Sequence, residues 1–396
     1  MKWAAAVLAI LLAGAGSASA QNAPGVTATE IKLGQVMAYS GVAAAVAAPI
    51  GKAEQAYFRM INDRGGINGR KVKLISLDDG FDRDKALALT KRLVEQDQVA
   101  AIFGPFGTPQ NLAIEPYLNE RGVPDLFIVT GDDWVIDHRK YPWTIGGVPV
   151  FRVEAQIFGR YILVNAPTAK VGVIHSLDQM GDSYITGLRQ GLGAKYFDIV
   201  VKEAAVADNT TNIDAQWRAL RDAGVTIVIV AAPPSIVVPS IVKAHDGDWH
   251  PQLFINFASS SGSVIGLAGF DKAKGIITAN SYLDPTDPRF AAADAKPFND
   301  FVAKYLPDGT NSIGYFLAGY VDAQAMEQTL KQCGDDLSRR NIMLQAANLK
   351  DFHPIGLIPG ITFFTSRTKY LPIVEAALTQ FDGRHWVQVG DVMAGF

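Results

Sequence analysis

The feature that most constrains how this chain can fold is a regular alternation of short apolar runs with longer amphipathic segments, beginning near residue 30. The apolar runs have the length and composition of buried strands, and most of the intervening segments have helical periodicity. The predicted strands are Ile31–Met37, Lys71–Leu77, Val99–Phe103, Leu126–Thr130, Val171–Ile174, Val225–Ala231, Leu253–Phe257 and Gly275–Thr278. Strands separated by helices form parallel sheets through right-handed crossovers, so we predict an α/β fold with parallel sheets flanked by helices.

Turn and capping residues mark the ends of several predicted elements. Gly65-Gly66 ends the first helix, because glycine readily adopts the left-handed conformation that follows a helix. Asp84 to Gln96 has helical periodicity, and Thr108-Pro109 begins the next helix, because threonine caps helices and proline is favoured in their first turn. Near the C-terminus, Asp382-Gly383 separates two strand-like segments and predicts a hairpin.

The length of 396 residues exceeds what one hydrophobic core usually serves, so we expect two lobes. Two segments rich in proline and glycine interrupt the alternation and are predicted to cross between the lobes. These segments are Tyr141–Pro149 and Asn280–Pro288. Beyond the second segment the pattern is mostly helical, to about Leu349.

The first twenty residues have the features of a cleaved export signal. Lys2 precedes the apolar segment Trp3–Ala15, and Ala18-Ser19-Ala20 has the small residues that a signal peptidase recognises. A membrane anchor is the alternative, but the segment is shorter than the roughly 20 apolar residues that span a bilayer. We predict that residues 1–20 are removed, that the mature chain starts at Gln21, and that the protein is periplasmic.

The single cysteine, Cys333, excludes an intramolecular disulfide, so packing alone must stabilise the fold. Gln21 stands where a lipoprotein would have its lipid-bearing cysteine. We therefore expect a protein that is free in the periplasm rather than a lipoprotein. We also expect Cys333 to be buried or at a helix end rather than to act as a nucleophile.

Charge and motifs argue against several classes of protein. The formal net charge is −3, and the sequence has no basic stripe of the kind typical of nucleic-acid binders. Phosphate-binding loops, H-E-x-x-H and C-x-x-C are absent from the sequence, and the six histidines are scattered. We therefore expect no catalytic residue, no metal, no cofactor and no nucleic-acid partner.

Two short motifs allow either a functional or a structural interpretation. Gly181-Asp182-Ser183 contains a serine beside an acid, but no nucleophile elbow surrounds it, so we interpret it as a helix start capped by its aspartate or serine. The acidic group Asp78, Asp79, Asp82 and Asp84 suggests calcium, but it lacks the spacing of an EF-hand loop. A solvated turn is the favoured interpretation of that group.

The strongest binding pattern is the loop Gly104–Pro109, which follows the third predicted strand. Ligands of open α/β sheets bind beyond the carboxyl ends of the strands. Glycine allows the backbone to approach a ligand closely, and the helix that follows directs its free N–H groups and its dipole to the same point. The loop therefore predicts a site for a carboxylate or a similar anion, although an ordinary strand-to-helix turn would have the same sequence.

Several segments together resemble the leucine/isoleucine/valine-binding-protein family, the type I periplasmic solute-binding proteins. The resembling segments are Glu30–Gly34, Asn62–Lys73, Asp78-Asp79 and Gly104-Pro105 with the helix that follows. A subgroup of the family is matched more closely by Pro142–Gly146, by P-T-D-P at 285–288 and by K-Q-C-G-D-D at 331–336. The resemblance runs from about residue 28 to the C-terminus.

The resemblance implies two Rossmann-like lobes joined by three crossovers, with a ligand enclosed in the cleft as in a Venus flytrap. It assigns residues 21–145 and 280–367 to the first lobe, and residues 146–279 and 368–396 to the second. It also implies the substrate-binding component of an ABC importer. Such a protein is expected to be a monomer that delivers one small molecule to the membrane permease subunits.

Carried over residue by residue, the resemblance implies a ligand-binding set drawn from both lobes. The first lobe contributes Tyr39, Ser40, Phe106, Gly107, Thr108, Thr130 and Asp132. The second lobe contributes Phe151, Met180, Pro233, Phe257 and Ala258. Amino-acid binders of the family place an aromatic residue near Met180, a tyrosine near Pro233 and a glutamate near Ala258. This sequence has none of the three.

The missing glutamate favours a hydrophobic or aromatic carboxylic acid over an amino acid as the ligand. A buried ammonium group needs an acceptor, usually a carboxylate, whereas Met180 and Phe257 suit a flat apolar body. Asp132 and Asp133 keep the amino acid open as a ligand, because they could accept an ammonium from the other side of the cleft. They could equally cap the turn that follows, or bind hydroxyl groups of a ligand. A ligand sensor of the same fold and a secreted α/β hydrolase are the remaining alternatives.

Overall fold

The computed structural model describes residues 23–207, 210–291, 295–307 and 312–395. Within these ranges the strands form two separate sheets, and helices pack against both faces of each. The predicted export signal and Gln21 lie outside the described residues. In the described part of the chain, no helix has the length and apolarity that a membrane span requires.

The first sheet has five strands in the described residues, in the order β2-β1-β3-β4-β5. Its strands are β1 (Glu30–Met37), β2 (Lys71–Asp78), β3 (Ala101–Phe103), β4 (Asp125–Ile128) and β5 (Thr144–Gly146). All four pairings between them are parallel. Their carboxyl ends therefore lie at one edge of the sheet.

The second sheet has seven strands in the described ranges, in the order β12-β11-β10-β9-β8-β6-β7. Its strands are β6 (Val171–Ser176), β7 (Val200–Val206), β8 (Ile227–Ala231), β9 (Gln252–Ile255), β10 (Ile277–Asn280), β11 (Glu375–Phe381) and β12 (Trp386–Ala394). The strands β6 to β10 pair in parallel, whereas β11 and β12 are an antiparallel hairpin added beside β10.

Helices connect most of the strands. They are α1 (Ala44–Asp63), α2 (Arg83–Glu95), α3 (Thr108–Glu120), α4 (Phe151–Asn165), α5 (Gln179–Leu192), α6 (Tyr196–Ile199), α7 (Asp214–Asp222), α8 (Pro234–Asp246), α9 (Gly262–Ala268), α10 (Pro288–Ala291), α11 (Lys296–Tyr305), α12 (Ile313–Cys333) and α13 (Arg339–Ala346). Short 3-10 turns follow two of the strands, at Asp133–Val135 and Phe257–Ser259.

Alternating side chains of the first sheet build two cores. Leu33 and Phe103 point to a core shared with α1, α11, α12 and α13. Val36 and Ile102 point to the opposite face, where α2 and α3 pack. The first sheet and these helices form the first lobe.

The second sheet has the same two-faced arrangement. Val173 on β6 contributes to the core under α4 and α5, whereas its neighbour Ile174 packs under α7, α8 and α9. This sheet and its helices form the second lobe. Each lobe therefore has its own hydrophobic core on both faces of its sheet, as expected for a chain too long for one core.

The chain passes between the sheets three times, after β5, after β10 and before β11. The three passages lie side by side and are hydrogen-bonded to one another. The Gly146 amide donates to the Tyr370 carbonyl at 3.0 Å, and the Ser281 hydroxyl donates to the Glu375 carbonyl at 2.7 Å. The residue boundaries assigned to the two lobes remain a prediction.

The predicted α/β class is confirmed, and each predicted strand overlaps an observed one. Two strands were not predicted. Tyr141–Pro149, predicted as a crossover alone, contains the short strand β5, and the sequence pattern did not identify the edge strand β7. The hairpin about Asp382-Gly383 is confirmed, as is the burial of Cys333 at the end of α12.

Three interpretations of capping and exposure were wrong. Asp178, rather than Asp182 or Ser183, caps α5 by accepting from the Gly181 amide, because the helix starts four or five residues earlier than those caps predicted. The predicted start of a helix at Thr108-Pro109 is confirmed, but Thr108 is the first residue of α3 and Gly107 occupies the cap position. The solvated-turn interpretation is wrong for Asp79, which is fully buried, whereas Asp82 and Asp84 are exposed as expected.

Candidate functional site

The two lobes meet where the first sheet presents the carboxyl ends of its strands, the edge at which open α/β sheets bind ligands. Met37, at the end of β1, and Ile50 of α1 belong to one apolar cluster with Val264 of α9 in the second lobe. Tyr315 of α12 belongs to the same cluster and is hydrogen-bonded to the second lobe's Ala258. The cleft between the lobes is therefore closed in this structure.

The loop between β3 and α3 is held by Asn111 of the helix. Its amide nitrogen donates to the carbonyl oxygens of Pro105 at 3.1 Å and Gly107 at 2.8 Å. Gly107 has φ +98°, a conformation that disfavours side chains, and a Cβ there would clash with Gln110 and lie 2.8 Å from the Phe81 ring. Glycine is therefore required at position 107 by both the backbone conformation and the packing.

Two threonine hydroxyls meet at the N-terminus of α3. The Oγ1 atoms of Thr108 and Thr130 lie 2.6 Å apart, and the Asp132 amide donates to Thr130 Oγ1 at 3.2 Å. One hydroxyl proton is used between the two threonines, so the other remains able to donate, whichever threonine is the donor. The helix dipole favours negative charge at the same point. The pair is suited to hold an anionic group.

Gln110, in the first turn of α3, is fully buried, and within the described residues neither its amide nitrogen nor its amide oxygen has a hydrogen-bond partner. Buried amides are nearly always hydrogen-bonded in folded proteins. Gln110 therefore adds an unused donor and an unused acceptor next to Gly107.

The loop after β4 joins the two lobes through two aspartates. Asp132 is fully buried, and its Oδ1 accepts from the Trp134 amide at 3.0 Å and from the hydroxyl of Ser183, on α5, at 3.4 Å. Its neighbour Asp133 forms an ion pair with Arg152 of α4. Burial raises the pKa of Asp132 to about 6. Both aspartates contact second-lobe helices from a first-lobe loop.

Aromatic side chains form the second-lobe part of the site. The ring centroids of Phe151 and Phe257 lie 5.4 Å apart, and Met180 and Ala258 pack against the same core. The Phe151 amide donates to the Gly131 carbonyl at 2.7 Å. The aromatic pair Phe151 and Phe257 therefore lies next to the loop that contains Asp132 and Asp133. A Cβ at Gly131 would lie 2.5 Å from the Phe151 ring, so that position requires glycine.

Glu154 of α4 holds the backbone next to Phe257 in place. Its carboxylate accepts from the Phe257 amide at 3.1 Å, from the Thr278 hydroxyl at 3.0 Å and from the Ala279 amide at 3.2 Å, and also from the Tyr184 hydroxyl. Burial raises the pKa of Glu154 to about 7, although these donors oppose the rise. The glutamate thus positions the turn that contains Phe257 and Ala258.

Three residues of the predicted set lie at its margin. The Tyr39 hydroxyl is paired with the Ser76 hydroxyl at 2.7 Å and accepts from Gln55, and burial raises the pKa of Tyr39 to about 12. Ser40 is exposed and donates to Asp78 at 2.6 Å. Pro233 is exposed at the start of α8. Of the other predicted residues, Phe106 packs against the apolar cluster that spans the two lobes, and Asp132, Phe151 and Ala258 are hydrogen-bonded across the boundary between the lobes.

Sequence reasoning missed Gln110, Glu154, Ser183 and Tyr315. Glu154 offered one usable pattern, since it interrupts the apolar face of a helix that is otherwise buried. Ser183 and Tyr315 have no local pattern, because their hydrogen-bond partners are distant in sequence, and the burial of Gln110 in the first turn of α3 is not marked by any motif. In the described part of the chain, no group of three or more histidines, cysteines, aspartates and glutamates could hold a metal ion.

Solved structures share this architecture. A branched chain amino acid ABC transporter protein from Thermus thermophilus with bound valine has a TM-score of 0.82 at 16% identity, covering 93% of this chain and 97% of that chain. A solute binding protein of an ABC transporter from R. palustris, in complex with benzoate, has a TM-score of 0.75 at 18% identity, covering 92% and 98%. These similarities show the type I periplasmic binding protein fold.

The sequence comparison agrees with the fold. The Leu/Ile/Val-binding protein homolog 7 from Brucella suis is 23% identical over 350 residues, which are 82% of this chain and 80% of that protein. The model of the periplasmic binding protein family matches residues 30–384. The family resemblance predicted from the sequence is thus confirmed, and the chain belongs to the periplasmic binding protein family.

Proposed function

We propose that this protein is the extracytoplasmic substrate-binding component of an ABC importer and binds a small organic carboxylate with an apolar body in the cleft between its lobes. It acts by closing around the ligand and releasing it to the permease subunits without chemical change. The predicted export signal would place it in the periplasm, where its partner membrane subunits are accessible.

The observation that supports the proposal is that a polar surface and an apolar surface lie next to each other at the boundary between the lobes. The hydroxyls of Thr108 and Thr130, at the N-terminus of α3, are suited to a carboxylate. Through Gly131 they adjoin the aromatic pair Phe151 and Phe257, which is suited to an apolar body. A carboxylic acid with a hydrophobic or aromatic body satisfies both surfaces.

The benzoate bound by the relative from R. palustris supports this ligand class. Benzoate has a carboxylate on a flat ring, the combination for which the two surfaces are suited. A branched-chain or other amino acid is the second candidate, because the Brucella suis relative is named for leucine, isoleucine and valine.

Solution scattering with and without ligand tests whether the lobes close around the ligand. Benzoate, 3-phenylpropanoate and leucine would first be screened by thermal shift, since a binder is stabilised in proportion to ligand occupancy. The best ligand should reduce the radius of gyration and be recovered chemically unchanged. Scattering curves that do not change with bound ligand, or the appearance of product, would contradict the proposed function.

A further inference from the structure

Buried oxygen atoms without hydrogen-bond partners gather where the first two crossovers leave the first lobe. Asp322 of α12 and Glu54 of α1 are both fully buried. Among the described residues, neither carboxylate oxygen of Asp322 has a partner, and neither Glu54 Oε1 nor the buried hydroxyl of Tyr282 has one. Buried polar groups are nearly always hydrogen-bonded, to the protein or to ordered water. The unpaired oxygens therefore indicate a bound ion or water.

The packing of α1 against α12 brings the two carboxyl groups near each other. Gly319 of α12 lies against α1, and a Cβ there would be 3.2 Å from the Ala53 side chain. Glu54 follows Ala53, and Asp322 lies one helical turn after Gly319 on the same side of α12. Burial and the charge of Asp322 raise the pKa of the Glu54 carboxyl and of the Tyr282 hydroxyl, so Asp322 lies close to both groups.

Each carboxylate also lies against a glycine at a strand end of the first sheet. A Cβ at Gly104, after β3, would be 2.5 Å from Glu54 Oε1. A Cβ at Gly147, after β5, would be 2.9 Å from Asp322 Oδ1 and 2.7 Å from the carbonyl oxygen of Phe127. The Phe127 carbonyl is therefore a further, uncharged oxygen beside Asp322.

We propose that Asp322, Glu54, the Tyr282 hydroxyl and the Phe127 carbonyl bind a monovalent metal cation, sodium or potassium. The two carboxylates supply the negative charge, and a cation between them offsets the cost of burying that charge. A divalent ion fits this set less well. Calcium takes roughly six to eight oxygen ligands, and magnesium retains several waters, whereas this set is small and buried.

The position of the site connects the cation to the hinge. Gly147 belongs to the first crossover and Tyr282 to the second, whereas Glu54 and Asp322 belong to helices of the first lobe. A bound cation therefore joins both crossovers to the first lobe and stabilises the folded protein. This inference goes beyond the proposed function, because the site lies apart from the residues assigned to the ligand and needs no ligand in the cleft.

Thermal unfolding in matched salts tests the inference. Sodium chloride or potassium chloride should raise the melting temperature by about 2 °C or more relative to N-methyl-D-glucamine chloride, because a cation that binds only the folded state stabilises it. The three salts are compared at the same ionic strength and pH, so general screening of surface charge is equal in all of them. The large organic cation cannot enter a buried site.

Variants assign the effect to the site. Asp322→Asn and Glu54→Gln keep the shape of the side chains and remove their charge, so each should abolish the difference between the salts. Tyr282→Phe removes one uncharged oxygen and should reduce the difference without disturbing the fold. Asp335→Asn, at an exposed acid just beyond α12, is the matched control and should keep the full difference.

Equal melting temperatures of the unaltered protein in the three salts would mean that water alone occupies the site, and would overturn the inference. A difference that is unchanged in the variants that fold would overturn it as well. Either result leaves the proposed function in place, because the measurement is made without a ligand in the cleft.

Discussion

The phenolic oxygen of Tyr315 and the backbone carbonyl oxygen of Ala258 lie 2.8 Å apart, in a hydrogen bond from α12 of the first lobe to the turn after β9 of the second. Burial raises the pKa of Tyr315 to about 12, so the hydroxyl remains a donor throughout the physiological range. The bond spans the two lobes beside the apolar cluster that contains Val264. It can form only when the lobes are together, and it therefore favours the closed form.

The Tyr315→Phe variant should weaken ligand binding without altering the pocket wall. The loss of one neutral hydrogen bond destabilises the closed form by about 0.5–1.5 kcal/mol, or roughly two- to tenfold in affinity. Calorimetry with the best ligand measures the change. Tyr305→Phe is the matched control, because the Tyr305 hydroxyl donates to Asp63 within the first lobe. Equal effects of the two variants would rule out a role for Tyr315 in closure.

The Thr108→Val variant should lower affinity for a carboxylate ligand about tenfold to a hundredfold, because a hydrogen bond to a charged group is lost. The side-chain shape is retained, and Thr130 loses its partner at 2.6 Å. Thr329→Val is the control, since the Thr329 hydroxyl bonds to the Ala325 carbonyl inside α12. Unchanged calorimetric affinity in Thr108→Val would limit this hydroxyl to a structural role.

Two buried carboxyl groups should make the protein less stable as the pH rises. Burial raises the pKa of Asp125 to about 8, and burial together with the charge of Asp125 raises the pKa of Glu115 to about 9. Both carboxyl groups ionise near pH 4 in an unfolded chain, as aspartate and glutamate side chains do in model peptides. Between about pH 4 and about pH 8 the folded protein therefore binds more protons, and the free energy of unfolding falls as the pH rises.

Thermal unfolding at constant ionic strength measures this dependence. The melting temperature should be higher at about pH 5 than at about pH 8, and Asp125→Asn should reduce the difference, because the amide does not ionise. The exposed acid Asp335 provides the control variant Asp335→Asn, which should keep the full difference. A melting temperature that rises over this interval would contradict the assignment.

The export signal makes a separate prediction about the N-terminus. Mass spectrometry of protein from the periplasmic fraction should find a mature chain that begins at or near Gln21, because Ala18-Ser19-Ala20 precedes it. Ala18→Arg should block cleavage, because a large charged residue replaces a small one at the recognition site. Recovery of the intact Met1 end in membranes from the unaltered sequence would exclude the predicted signal.

The fold was predictable from the sequence where local pattern decides the structure. Apolar runs such as Ile31–Met37 are long enough to identify a buried strand, and glycines mark where helices end. The strand β5 was missed because its three residues are too short for a pattern. The strand β7 was missed because it lies at an edge, where three consecutive exposed residues, Val201–Glu203, interrupt the alternation typical of a strand.

The candidate site was predictable only in part, for a physical reason. Thr108 and the loop before it lie at a strand end, where chain order alone indicates a site. The contact between Asp132 and Ser183 joins positions 51 residues apart, and that between Tyr315 and Ala258 joins positions 57 apart. Such contacts depend on how the two lobes meet, and no local periodicity encodes that arrangement.

The hairpin of β11 and β12 gives the chain a late folding step. Ala279 pairs with Leu378 in the second sheet, so that sheet is completed only by the last strands of the polypeptide. Pairing of segments so far apart in sequence is slow, because a long loop must close before any contact forms. A nascent chain that lacks its C-terminal residues therefore cannot complete its native second sheet. Until residues 375–394 are available the second sheet lacks two of its seven described strands, and an incompletely folded chain is what a narrow translocation channel can accept.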